Sequence, residues 1–392
     1  MEVKIIKFDH FGRGIGYYNG KIVFVNKALP NEIVDIKIIK EKSKFYEGEI
    51  INIINESEER IESICPYYSL CGGCNLLHMN YELEQQFKIN KCKELLGRCD
   101  NFYETNDLNY RNKVTLHVKD NRLGFYKEKT NDIIPIDYCH LLNDKINDVI
   151  KKLQKLDLKN INEIIIKSNN KDVLLNIKGK LNINELHMID VNNIIVNNKL
   201  VKGNNYIEEI IHDKLFKLTS EAFFQVNKSG LLNIYNVIEK FLKDKKINNA
   251  LDLYSGIGLW GILISDYVNN VTCIEINEEA CQNANYNILK NNIHNVQVIN
   301  GKVEDYIDRF NNIDLVITDP PRSGLDNKTK DYLKKIQSKY FIYVSCDMQT
   351  LKRDLEDLKD TYTVNEINIV DMFKRTYHVE CVLLLCRKTL DK

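Results

Sequence analysis

Residues 251–261, LDLYSGIGLWG, decide the fold of this chain. Leu251-Asp252-Leu253-Tyr254 reads as the end of a buried strand, and Gly256, Gly258 and Gly261 open a helix behind it. Glycines at this spacing let the backbone turn sharply and approach a ligand closely. The next apolar run, Val271 to Ile276, carries Glu275 near its end. A carboxylate there can accept hydrogen bonds from both hydroxyls of a ribose. From Ile247 onward, apolar strands near 249–254, 271–275, 296–299, 313–318, 341–345, 364–371 and 379–386 alternate with amphipathic helical stretches. That alternation predicts a mostly parallel sheet with helices on both faces.

The chain upstream of this segment has a different texture. Residues 12–25, GRGIGYYNGKIVFV, hold an Asn19-Gly20 turn before an apolar strand, a hairpin signal. ALPNEIVDIKII follows with alternating apolar positions, and residues 1–54 together predict a small OB-like β-barrel. Residues 55–80 are irregular, and Tyr81 to Arg98 has helical spacing. Residues 110–215 mix strands and helices among Asn-rich turns. The expected architecture is therefore multidomain α/β: a barrel over 1–54, a central α+β domain over 55–215, and a Rossmann-like domain over 216–392.

At 392 residues and 44% hydrophobic content, two or three cores can be buried. No apolar run has membrane-spanning length, and MEVKIIKFDHFGRG lacks the layout of a signal peptide, so a cytoplasmic location with no membrane partner is expected. The 11 cysteines are odd in number and scattered, which fits metal-binding, catalytic or core roles better than a disulfide framework. Formal net charge is zero, from 55 Lys and Arg against 55 Asp and Glu. A nucleic-acid partner usually goes with a basic excess, so any surface of that kind here would need cations segregated in space.

The glycine spacing is that of a dinucleotide fingerprint and leaves NAD and S-adenosylmethionine both open. The chemistry is narrowed downstream. IDLVITDPPRSGL ends a strand in Asp319-Pro320-Pro321-Arg322, and YFIYVSCDMQT ends the next in Ser345-Cys346-Asp347. Both strand ends belong at the crevice where doubly wound sheets bind ligands. The paired prolines stiffen the turn that aims Asp319. An isolated cysteine is usually a small buried hydrophobe, but Cys346 at a strand end beside a cofactor crevice suits a nucleophile. His378-Val379-Glu380 offers an acid directly before the apolar run Cys381 to Leu385.

Together, FFQVN (223–227), LDLYSGIG, DPPRSGL, SCD and HVE resemble the family of RNA uracil-5 methyltransferases, in that family's order and over nearly the whole chain. The resemblance implies an S-adenosylmethionine-dependent enzyme with Cys346 as nucleophile and Glu380 as general base. It implies cofactor contacts from Gln225, Tyr254, Glu275 and Asp319, and makes Arg322 and Arg375 candidates for organising the pocket or touching RNA. Cys381 departs from the small hydroxyl residue often found there. A thiolate is wanted because carbon 5 of uracil is a poor nucleophile. Adding sulfur to carbon 6 makes carbon 5 carbanion-like, and a base must later remove the carbon 5 proton so that the thiolate can leave.

Cys65-x5-Cys71-x2-Cys74, with Gly72-Gly73 between the last two, is a compact array that favours a metal centre. Cys92, Cys99, Cys139 and His78 are candidates for a fourth ligand, and four thiolates suit zinc or an iron–sulfur cluster alike. CGGC followed by LLHMNYELEQQFK resembles the family branch with a 4Fe-4S cluster, whose distant ligand corresponds to Cys139 in IDYCHLL. Zinc is the less favoured alternative. Residues 1–54 resemble the TRAM module, in which Phe8, Phe11, Tyr17, Tyr18, Phe24 and Lys21 would offer stacking faces and charge. The expected substrate is 23S ribosomal RNA, with the T-loop uridine of tRNA as the alternative, and the expected state is a monomer. A cluster-containing dinucleotide oxidoreductase leaves DPPR, Cys346 and HVE without a task. A non-catalytic RNA-binding assembly factor requires Cys346 and Glu380 to be dispensable.

Overall fold

The computed structural model describes residues 1–128, 130–180, 186, 189 and 191–388. It divides into two compact units: Met1–Glu94 with Phe125–Ile134 and Phe373–Tyr377, and Leu95–Gly124 with Pro135–Met372 and His378–Lys392.

In the first unit, Asn19 and Gly20 both take the left-handed conformation, with φ of 47° and 76°. A two-residue turn of this hand matches strand twist. It joins Gly14–Tyr18 to Lys21–Val25, with Tyr18 opposite Lys21, as the Asn-Gly signal predicts. The sheet runs in the order Glu2–Lys4, Ile33–Glu41, Phe45–Asn55, Lys21–Val25, Gly14–Tyr18, Lys7–Phe8. Alternating residues fill its core: Val3, Ile5, Val23, Val25, Val34, Ile36 and Tyr46. Gly16 is required by close approach, since a Cβ there would lie 2.3 Å from Val3 Cγ1. The helix read over 81–98 spans Tyr81–Leu96 and stops before Gly97, whose φ is 86°.

The second unit carries an antiparallel sheet built on Lys113–Lys119, Ile161–Ser168 and Val173–Gly179, and a hairpin of Tyr206–Ile211 with Lys214–Thr219. Its largest sheet has the order Val296–Asn300, Val268–Glu275, Ile247–Leu253, Leu315–Thr318, Tyr340–Ser345, Glu380–Arg387, Tyr362–Val370, Asn101–Tyr103. The seven strands read from the sequence are all present. The short edge strand Asn101–Tyr103 has too little apolar content to be read locally; it pairs in parallel with Tyr362–Val370. Glu380–Arg387 runs antiparallel to both neighbours and inserts between Tyr340–Ser345 and Tyr362–Val370. No helix among the described residues is long and apolar enough to cross a membrane.

Candidate active site

The strand Ile247–Leu253 is buried at its end and breaks into a loop in which Tyr254, Gly256 and Gly258 have φ of 61°, 55° and 76°. A Cβ on Gly256 would meet nothing within 4 Å, so this backbone faces open space. Gly261 has a different reason: a Cβ there would lie 2.4 Å from Cys273 Sγ. Its N–H donates to Asp252 Oδ2 at 2.8 Å. Burial pushes the Asp252 carboxyl up to about 8, the Gly261 N–H opposes this, and the charge on Asp319 adds to it. Glu275 accepts from the Gly256 N–H at 2.9 Å and the Asn277 N–H at 2.7 Å, so the acid read as a ribose acceptor also holds the loop. The Tyr254 hydroxyl lies 3.2 Å from Asp326 Oδ2 and 3.3 Å from Thr329 Oγ1.

Asp319 leaves the end of Leu315–Thr318 and receives two side-chain donors: Trp260 Nε1 at 3.3 Å and Gln225 Nε2 at 3.5 Å, both to Oδ2. Burial holds this carboxyl above its ordinary range, and the two donors pull the other way. Gln225 is buried and is placed by its neighbours. Asn112 Nδ2 donates to the Gln225 carbonyl at 3.0 Å. Asn227 caps the helix Lys228–Leu242 through Gly230 N–H and donates to the Met372 carbonyl at 3.2 Å. The FFQVN stretch is thus a helix start tied down on two sides. Trp260 was not singled out by sequence; its one signal is an indole, a hydrogen-bond donor, inside the glycine loop's helix.

Cys346 ends Tyr340–Ser345, and the following Asp347 caps the helix Met348–Leu358 by accepting from Gln349 and Thr350 N–H. Ser345 pairs with Cys381 in the antiparallel ladder. One residue further, that register sets Cys346 against Glu380. Burial pushes the Cys346 thiol up to about 11, the charge of Glu380 adds to this, and the Arg322 guanidinium opposes it. Glu380 is 3% exposed, and its Oε2 has no hydrogen-bond partner among the described residues. Burial, then the charge of Asp319, holds its carboxyl well above the ordinary value, against the pull of Arg322. A thiol, a carboxyl whose charged form burial disfavours, and one guanidinium therefore meet at a crevice edge. Arg375 belongs to the first unit, where its N–H donates to Glu84 Oε1 at 2.8 Å and its side chain is buried.

A family profile described as tRNA (uracil-5-)-methyltransferase matches residues 159–388, more than half of the chain, and a TRAM domain profile matches residues 1–51. The chain belongs to the RNA uracil-5-methyltransferase family. A Clostridium acetobutylicum protein named an uncharacterized RNA methyltransferase is 32% identical over 100% of this chain and 97% of its own length. One of the same description from Aquifex aeolicus is 30% identical over 98% of each. The crystal structure of Pyrococcus abyssi tRNA (uracil-54, C5)-methyltransferase in complex with S-adenosyl-L-homocysteine shares the fold, with a TM-score of 0.82 at 24% identity over 98% of this chain and 100% of that one.

This uracil-5-methyltransferase is an S-adenosylmethionine-dependent RNA enzyme, and its crevice fits the cofactor. The loop offers open space over Gly256, carboxylates stand at two strand ends, and Asp252 Oδ1 and Thr318 Oγ1 are buried without partners among the described residues.

The cysteine array of the methyltransferase sits on a tight loop. The Cys71 N–H donates to the Tyr67 carbonyl at 2.8 Å, and the Gly73 N–H points to Cys71 Sγ at 3.4 Å. Among the described residues, no group of three or more His, Cys, Asp or Glu is arranged to hold a metal ion. Cys65, Cys71 and Cys74 belong to the first unit and Cys139 to the second, where Asn147 brackets its backbone with two hydrogen bonds of 3.0 Å. His78 is buried, with its Nδ1 2.6 Å from the Tyr68 hydroxyl and its Nε2 without a hydrogen-bond partner among the described residues. Cys92 is fully buried within its helix.

Proposed function

We propose that this methyltransferase modifies a uridine of 23S ribosomal RNA through a covalent adduct with Cys346, and that Glu380 releases the product. The observation that carries the mechanism is the ladder register: Ser345 opposite Cys381 brings the thiol to the strand end where Glu380 Oε2 stands without a partner among the described residues. The Cys346 thiol gives up its proton to solvent water, the Arg322 guanidinium favouring the thiolate, and sulfur bonds to carbon 6 of the base. The electron pair of the 5,6 double bond moves toward the carbonyl at carbon 4, making carbon 5 nucleophilic. S-adenosylmethionine supplies the methyl group to carbon 5, and its sulfonium charge favours the anionic thiol and carboxyl. Glu380 in its ionised form takes the carbon 5 proton, the double bond re-forms, and the carbon–sulfur bond breaks. Gln225, Tyr254, Glu275 and Asp319 are proposed to hold the cofactor.

Ribosomal RNA as substrate is supported by the cysteine array joined to a TRAM domain. The tRNA reading is supported by the family's description and by what the Pyrococcus abyssi enzyme is named for. The Gly73 N–H aimed at Cys71 Sγ supports a cluster held by Cys65, Cys71 and Cys74, with Cys139 proposed as the fourth ligand. The same reading keeps the division at 1–54, 55–215 and 216–392. Labelled methyl transfer to unmodified ribosomal and transfer RNA, followed by mapping, tests the substrate; label only in tRNA overturns the ribosomal assignment. RNA containing 5-fluorouridine tests the chemistry, since fluorine occupies the place of the proton that Glu380 must remove; a stable protein–RNA adduct is expected. Iron content after anaerobic purification tests the cluster: Cys65→Ser with undiminished iron removes Cys65 as ligand.

A further inference from the structure

The helix Met348–Leu358 begins two residues after Cys346 and buries Met348, Leu351, Asp354 and Leu358 along one face. Asp354 is the charged member of that apolar stripe, and it is fully buried. A carboxylate taken out of water costs free energy unless donors surround it. Here they come from a strand, a turn and two helices. Asp354 Oδ2 accepts from the Tyr343 hydroxyl and from the Leu325 N–H, each at 2.8 Å. Its Oδ1 accepts from Arg353 Nε at 3.0 Å and Nη2 at 2.7 Å, and Lys330 Nζ lies 3.8 Å away.

The turn at 321–325 is held on both sides of its glycine. Arg353 Nη2 donates to the Ser323 carbonyl at 2.8 Å, while the Leu325 N–H meets Asp354. The Gly324 N–H closes the turn on the Pro321 carbonyl at 2.8 Å. Gly324 has φ of 76°, and a Cβ on it would lie 2.4 Å from Asp354 Oδ2 and 2.6 Å from Arg353 Nη2. The absence of a side chain lets the backbone press onto the helix.

This turn carries Arg322, whose own side chain is exposed, so its place is set by the backbone beneath it. Burial and then the charge of Glu380 disfavour the Cys346 thiolate, and Arg322 favours it through its charge and a side-chain hydrogen bond. One carboxylate thus ties together the strand that ends in the thiol, the helix that follows it and the turn that bears the guanidinium. We propose that Asp354 is a positioning residue, which holds the 321–325 turn so that Arg322 stays at the Cys346 thiol. The proposal rests on the reading of Cys346 as nucleophile and adds a residue to which that reading gives no part.

The test reads the thiol directly, in the full chain without RNA. Iodoacetamide alkylation, followed by mass spectrometry of the peptide carrying Cys346, gives the rate of thiolate attack as a function of pH. In Asp354→Asn the rate near pH 8 should fall about fivefold and its rise should move to higher pH. The sign is diagnostic. Removing a carboxylate by itself makes a nearby thiolate easier to form, so a harder one reports the guanidinium's displacement. Arg322→Gln should give the same displacement, and adding Asp354→Asn to it should change little further, since one residue acts through the other. Arg353→Lys keeps the charge at a half-exposed position but loses the fork that reaches Ser323, and should move the profile the same way by less. In steady-state methylation, kcat of Asp354→Asn should fall about tenfold with cofactor Kd at the wild-type value.

An Asp354→Asn profile that stays in place or moves to lower pH, or full additivity with Arg322→Gln, overturns the proposal and leaves the nucleophile standing. If Asp354→Asn does not fold, a wild-type profile in Arg353→Lys overturns it. A wild type that forms no fluorouridine adduct, while its alkylation still responds to Asp354→Asn, overturns the nucleophile reading instead and leaves the hold on Arg322 standing.

Discussion

The two halves of the crevice are built on opposite electrostatic terms. On the side proposed to hold the cofactor, Glu275 receives two backbone N–H groups and Asp319 two side-chain donors. On the side proposed to react, Glu380 Oε2 has no partner among the described residues, and the Cys346 thiol is disfavoured as an anion. A binding surface gains from being formed in advance. A reacting edge gains from groups whose charged forms are stabilised only once the substrate and cofactor have arrived.

The largest effect should come from Cys346→Ala. It should lower methyl transfer by more than about a thousandfold and abolish the fluorouridine adduct, with cofactor affinity at the wild-type level by calorimetry. An active variant would break the contrast, because the reacting edge would then have no nucleophile. Glu380→Gln comes next, with turnover reduced by roughly 10²–10⁴-fold and adduct accumulating on natural RNA in a denaturing gel; fast turnover would remove Glu380 as base. Glu275→Gln probes the cofactor side. It weakens the acceptor for two N–H groups and should raise the cofactor Kd about tenfold, with adduct formation persisting at saturating cofactor.

The smaller effects are in pH. In the proposed mechanism Cys346 and Glu380 both act deprotonated, and both carry raised pKa values, so kcat/KM should climb with pH across the neutral range. A maximum near pH 6 with a fall above it would contradict this. Stability should run the other way. A carboxyl whose folded pKa lies above its unfolded value binds its proton more tightly when folded. That contribution is complete below the unfolded pKa and is lost as pH rises through the folded one. Relative to Glu380→Gln, the wild type should therefore lose melting temperature on going from acid to alkaline pH, by a few degrees. A pH-independent difference between the two would mean that Glu380 is not held neutral.

Much of this was legible in the residues because it is local. The Asn19-Gly20 hairpin, the Gly97 helix stop, the loop after Leu253 and the Asp347 cap each follow from the backbone preferences of a few neighbours. Cys346 and Asp319 were legible as strand ends by the same logic. The partners that complete them were not. Trp260 reads as one more apolar residue until Asp319 is brought to it, and nothing local in the sequence shows that Glu84 receives the Arg375 N–H. The metal reading shows the opposite limit. Spacing alone proposes the cysteine array, while no ligand set stands assembled among the described residues.

By itself the sequence determined a doubly wound domain behind a barrel, a glycine loop for a cofactor, and a cysteine at the crevice. Only the tertiary structure decided that the start of the last strand meets the end of Tyr340–Ser345. Strand order and direction are set by which apolar faces and ladder hydrogen bonds close together over the whole sheet. The antiparallel insertion of Glu380–Arg387 turns 34 residues of separation between Cys346 and Glu380 into neighbouring positions across one ladder.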